Sequence, residues 1–189
     1  IAPGLRQLSQ TYPSLVLELV ATSGVLNVSK READLAVLLS RPTTGRLKIS
    51  KLTDYSLQLY ASPGYLSQAE VPQTIPDLHA HTLIGYVDDL IYSPKLRYYN
   101  DLDSGLVPKL CSSSLLAQAQ MARAGCGIAM LPRFLAMADP GLQLVLADSV
   151  LITRSFWLAI HEDVADHARI RAVADFLKQL VQDNSARLN

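Results

Sequence analysis

The sequence is poor in cysteine, with two in 189 residues. That is no disulfide framework. Cys111 and Cys126 stand fifteen positions apart without a C-x-x-C motif, so neither a redox couple nor a zinc cage is indicated. Buried, inert thiols in a reducing interior are the expectation. An excess of charge of one sign is also missing. Seventeen basic residues meet seventeen acidic ones, and no run of five like charges occurs, so no surface for a polyanion is visible. If the protein acts on DNA, this chain does not supply the phosphate contacts. Nor does any apolar run approach the roughly 18 residues of a membrane helix.

Catalytic and metal motifs are absent too. His79, His81, His161 and His167 show no H-x-x-x-H spacing, which leaves them hydrogen-bonded or solvated structural roles. Ser113, His161 and Asp163 make a triad only on paper, because no G-x-S-x-G elbow presents the serine. No catalytic residue, cofactor or metal is expected.

What is present is a core. Hydrophobic residues make up 49% of the chain and charged ones 18%, enough for one or two folded domains. Pro3 suits a first helical turn, and Leu5, Leu8 and Tyr12 follow at helical spacing, which predicts a helix over 3–12 ended by Tyr12-Pro13. LVLELV (15–20) reads as a strand, 25–32 as a helix, and DLAVLL (34–39) as a strand of the kind buried on both faces of a parallel sheet. LQLYA (57–61) reads as another strand, reached through 47–54.

Prolines at 63, 72, 76 and 94 then mark loops and short helices. Strands are predicted at 83–86, 106–111, 128–131, 142–146 and 156–160, with Pro108 placing the second at a sheet edge or bulge. A helix is predicted over 114–124 and a short turn over 134–137. Ile170, Val173, Ala174, Leu177, Leu180 and Val181 form the clearest helical stripe, with Asp166 as its cap. The alternation of strand and helix predicts an α/β protein with largely parallel sheets.

One stretch, CSSSLLAQAQMARAGCGIAMLP (111–132), gathers both cysteines, three serines and a G-C-G. The glycines follow a helix and precede a strand, the reverse of a phosphate loop, and so predict a left-handed helix stop. Ser114 is placed to cap the helix that follows it. Two readings of Ser112, Ser113 and Ser114 stay open: a cap alone, or a receptor in which hydroxyls and free helix amides take a small anion such as a carboxylate.

Ligands of open α/β sheets sit beyond the carboxyl ends of the strands. The ends of strands 15–20 and 34–39 carry Thr22, Ser23, Arg41 and Thr43, and strand 83–86 ends on Tyr86-Val87-Asp88. These groups either form a polar pocket for an organic acid or are ordinary solvated loop residues.

The pieces LRQLSQTYPSLVLEL (5–19), READLAVLLSRP (31–42), LQLYASPGYLSQAEVPQTIPDLHAHTLIGY (57–86), LLAQAQMARAGCGIAMLPRFLA (115–136) and FWLAIHEDVADHARIRAVADFL (156–177) belong together. In this order and spacing the chain resembles the effector-binding domain of LysR-type transcriptional regulators over nearly its whole length. The resemblance implies two Rossmann-like subdomains of the type-2 periplasmic-binding architecture joined by two crossovers. Subdomain I would be 1–61 plus 156–189 and subdomain II 62–155, with the effector in the cleft between them. Thr22, Ser23, Arg41, Thr43, Ser112, Ser113 and Ser114 would then face the effector.

By the same resemblance, a winged helix-turn-helix and a first strand would precede Ile1, and the chain would be part of a longer protein. The implied function is a cytoplasmic ligand-sensing module, not an enzyme and not a membrane protein. It would bind an organic acid or aromatic compound, pair as a homodimer or homotetramer through the helix at 3–12, and reach operator DNA through the preceding domain. The alternative is a periplasmic solute-binding receptor of a transporter.

Overall fold

The computed structural model describes residues 1–21, 32–91 and 93–189. The chain divides into two compact units: Ile1–Asp54 with Ser155–Ala186, and Tyr55–Arg154 with Arg187–Asn189. Two long strands, β2 (Leu47–Ala61) and β7 (Ile152–His161), contain the passages from one unit to the other. The passages fall at 54/55 and 154/155. LQLYA is the buried end of a strand already begun at Leu47, so the chain passes from one unit to the other within a strand.

The first unit opens with α1 (Leu5–Thr11), entered through a 3-10 turn at Ala2–Gly4 that carries Pro3. Backbone approaches side chain closely there: a Cβ on Gly4 would lie 2.7 Å from Leu180. The strand β1 (Leu35–Leu38) pairs antiparallel with β7, Leu35 opposite Ile160 and Leu38 opposite Trp157. Over this sheet lies α5 (Ala168–Asp183), whose apolar stripe follows the 3.6-residue repeat. Ala174 and Leu177 of that stripe are buried with Leu158, and Val37 and Phe176 pack around them. Burying a side chain such as Leu177 contributes about 2 kcal/mol. A short α6 (Ser185–Leu188) closes the chain.

In the second unit the strand order is β2–β5–β3–β4, with β6 on the other side of β2. The strand β5 (Ile128–Pro132) runs antiparallel to β2, with Leu59 opposite Met130. Parallel pairs link it to β3 (Leu83–Gly85) and β3 to β4 (Leu110–Cys111). The strand β6 (Gln143–Val145) is antiparallel to β2. Helix α2 (Pro63–Gln68) is capped by the Ser62 hydroxyl, which accepts from Tyr65 N–H at 3.2 Å. Helix α3 (Leu115–Arg123) links β4 to β5, and α4 (Arg133–Ala136) follows β5. Tyr60, Ile84, Ala119, Ala122, Ala129 and Leu131 form the core of this unit.

Several expectations are corrected. LVLELV is not a strand: 15–20 has no regular structure, and Val16 is 87% exposed. A strand exists only through a ladder partner, and among the described residues none lies beside it. The sheets are mixed rather than largely parallel, because an apolar run such as LAVL reports burial and not strand direction; β1 is also only half-buried. Asp166 does not cap α5. It sits one residue too early and binds Lys48 Nζ at 3.0 Å instead. Both cysteines are exposed, Cys111 on the edge strand β4 and Cys126 in the turn after α3. The helix predicted at 25–32 falls on residues outside those described, apart from its last residue.

Candidate functional site

The best-defined candidate lies at the start of α3. Ser112 is tied to the sheet by its N–H, which donates to the Gly85 carbonyl at 2.9 Å. Its hydroxyl accepts from Ser114 N–H at 3.1 Å, turning the chain off β4. Ser114 is the N-cap in extended backbone, and its hydroxyl accepts from Ala117 N–H at 3.4 Å. A cap of this kind is worth about 1 kcal/mol. Beneath them the buried Gln118 donates from Nε2 to the Ser112 carbonyl at 2.8 Å.

Ser112 and Ser114 are thus occupied in building the turn. The Ser113 hydroxyl makes no hydrogen bond among the described residues, and the amides of Leu115 and Leu116 meet no acceptor there. These are the donors that a helix start offers to an acceptor.

The far end of α3 is a stop. Gly125 takes φ +82°, its N–H donates to Ala122 O at 3.1 Å, and Cys126 N–H donates to Met121 O at 3.0 Å. This pair of bonds is the Schellman arrangement that satisfies the last carbonyls of the helix. Gly127 is required for a different reason: a Cβ there would lie 2.1 Å from the Thr82 carbonyl oxygen. The G-C-G is therefore packing and chain reversal.

Of the other predicted site residues, Arg41 and Thr43 lie exposed in the loop after β1 in the first unit. The Arg41 guanidinium stands 5.6 Å from the centre of the Trp157 ring, a cation–π contact. The register explains it, since Leu38 pairs with Trp157 and Arg41 follows three residues later. Thr22 and Ser23 lie outside the described residues.

The second unit also holds a cavity of about 380 Å³ that local sequence patterns did not reveal. Ile84, Leu96, Tyr98, Tyr99 and Met130 form apolar walls, and Asp88 and Arg97 also line it. The tyrosines are fixed by their own contacts. Tyr99 Oη bonds the carbonyls of Ile84 and Ile128 at 2.9 and 3.1 Å. Tyr98 meets Tyr86 edge-on at 6.0 Å, with the Arg154 guanidinium 6.0 Å from its own ring centre. Burial pushes the phenols of Tyr98 and Tyr99 well above the ordinary value, so both stay protonated. Of the cavity lining, the sequence pointed to Tyr86 and Asp88 as a strand end, and to Pro108 and Cys111 for other reasons.

Nothing in this arrangement resembles a reaction centre. His161 Nδ1 accepts the Asp163 N–H at 3.2 Å, a local turn. His81 Nδ1 meets Tyr65 Oη at 3.1 Å and His79 Nε2 meets Asp103 at 3.1 Å. No cluster of three metal-ligating side chains occurs among the described residues, and no helix there is long and apolar enough to cross a membrane.

The described residues form a mixed α/β fold of two units, with a polar helix start and a cavity in the second. The family model described as the LysR substrate binding domain matches residues 1–182, and the chain belongs to that family, whose members are regulators of transcription and not enzymes. The HTH-type transcriptional regulator CrgA of Neisseria meningitidis serogroup C (strain 8013) is 28% identical over 97% of this chain. This chain spans 63% of that relative's length.

The CrgA regulatory domain superposes with a TM-score of 0.85 at 27% identity, covering 95% of this chain and 90% of that one. The effector domain of AmpR from Pseudomonas aeruginosa shares the fold, with a TM-score of 0.76 at 17% identity over 98% of this chain and 90% of that one. The fold is that of type-2 periplasmic-binding proteins, and the regulatory reading displaces the transporter receptor.

Proposed function

We propose that this chain is the ligand-sensing part of a cytoplasmic LysR-type regulator, and that its effector is an organic acid or small aromatic compound. The family match over residues 1–182 carries the reading. The two units serve as its effector-binding subdomains. The effector's acidic group is received at Ser113 and the open amides of α3, with Arg41, Thr43, Ser112 and Ser114, and also Thr22 and Ser23, as the remaining contacts. The whole protein works as a homodimer or homotetramer, with α1 as one contact face, and holds operator DNA through a domain outside this chain.

An effector acts here only by binding one conformation of the regulator more tightly than another. The support is chemical: Ser113 and two helix amides offer donors to a carboxylate, and Arg41 offers a guanidinium held by an exposed cation–π contact of about 0.5–1 kcal/mol. A thermal-melting screen against organic acids tests it. A hit should raise the melting temperature, and Ser113→Ala or Arg41→Ala should reduce that rise. A broad acid and amino-acid panel that shifts nothing in the full-length protein would refute the sensing role.

A further inference from the structure

We propose that the cavity of the second unit is a separate binding site for a small aromatic carboxylate, whose ring enters the cavity and whose carboxylate takes Arg97 from Asp88. This goes beyond the effector reading above, since neither Ser112–Ser114 nor Arg41 and Thr43 line it.

The size fits first. A volume of about 380 Å³ lies at the lower end of the roughly 300–1,000 Å³ of small-molecule sites. The lining fits next. Tyr98, Tyr99, Ile84, Leu96 and Met130 offer flat and apolar walls for a single ring. Those walls are preformed, because Tyr99 is held by two carbonyls and Tyr98 by Tyr86 and Arg154, so little ordering is needed on binding.

The polar groups of the cavity single out the ligand's charge. The Gln118 amide is engaged by the Ser112 carbonyl, and the Tyr99 hydroxyl by the sheet. Arg97 is the cation of the lining, a planar five-donor fork that matches a carboxylate bidentately. Its partner in the chain is Asp88, with side chains 42% and 69% exposed. An ion pair that exposed is weak, so little opposes its exchange, and the buried ring supplies the driving force for a ligand carboxylate to displace Asp88.

The experiment titrates the full chain with 4-fluorobenzoate, followed by fluorine NMR. Saturable binding is expected, weakened roughly two- to fivefold by Arg97→Met. Ser104→Trp, an exposed lining position, should block it by filling the cavity. Asp88→Asn should tighten it roughly two- to fivefold by removing the competing carboxylate, an outcome a merely structural role for the pair would not produce.

Absence of saturable binding would overturn the proposal, and so would binding indifferent to both Arg97→Met and Ser104→Trp. Binding lost in Ser113→Ala but kept in Arg97→Met would move the probe to the α3 start, supporting the effector reading and ending this one. If Arg97→Met does not fold, Asp88→Asn decides: tighter binding supports the site, and unchanged or weaker binding refutes it.

Discussion

The Gln118 side chain, 1% exposed, donates its amide to the Ser112 carbonyl across 2.8 Å. This one bond ties the first turn of α3 to the segment that follows β4. Gln118→Leu removes the donor and leaves a carbonyl to be satisfied, which costs about 1–2 kcal/mol. Denaturant midpoints should fall accordingly, and any effector shift that depends on Ser113 should fall with them.

Gly127→Ala should be far more damaging than Gly125→Ala, although only Cys126 separates the two. A Cβ at Gly127 meets backbone, the Thr82 oxygen at 2.1 Å, and backbone cannot swing aside as a side chain does. The cost should reach about 3 kcal/mol or more. At Gly125 the difficulty is φ +82° alone, a penalty of about 1 kcal/mol, and Gly125→Asn should cost less still. Thermal unfolding of the three variants would order them.

This contrast also marks what could be read in the sequence. The α3 stop, the Ser114 cap and the α5 stripe were legible because each depends on residues within a turn or two of one another. The edge placement of β4 was legible from Pro108 for the same reason. LVLELV was misread because a strand depends on a partner that its own letters do not name. The cavity was invisible because Ile84, the Arg97–Tyr99 turn and Met130 come from three separate segments, and only the fold brings them together. The exposed cysteines show the same limit, since exposure at Cys126 is set by where the chain turns after Gly125.

Two buried tyrosines should respond oppositely to loss of their hydroxyls. Tyr99 Oη serves two sheet carbonyls, so Tyr99→Phe should destabilise by about 1–2 kcal/mol. Tyr60 Oη is buried with no partner among the described residues, so Tyr60→Phe should be neutral or stabilising by up to about 1 kcal/mol.

Burial raises the phenol pKa of Tyr98 and Tyr99 in the fold, so their contribution is whole below the ordinary value of 10.0. It is lost as pH climbs above that value toward the folded one. An ultraviolet titration should show late phenols that ionise only with unfolding, and one fewer in Tyr99→Phe.

Acid should act through Asp77. Its carboxylate accepts the N–H groups of Gln73 at 2.9 Å and Thr74 at 2.8 Å, and these two bonds hold its pKa below the ordinary 3.8. A depressed folded pKa means stability that is present above 3.8 and lost as pH falls through the folded value. Asp77→Asn should therefore flatten part of the acid limb between about pH 2 and 5 while changing little at neutrality. Urea midpoints measured across that range would show it, and an unchanged acid limb would remove Asp77 from the account.

Arg41 can be watched directly, because Trp157, the ring it covers at 5.6 Å, is the one tryptophan of the chain. Emission excited at the red edge therefore reports on this contact without interference from another indole. Arg41→Ala should change the intensity and position of that emission while costing no more than about 1 kcal/mol of stability, as expected for an exposed cation–π pair. An acid that recruits the guanidinium must alter the same signal, since one charge cannot keep its geometry over the ring while turning its fork to a carboxylate. A hit from the melting screen that leaves Trp157 emission untouched in the wild type would exclude Arg41 from the binding site and leave the anion to the α3 start alone.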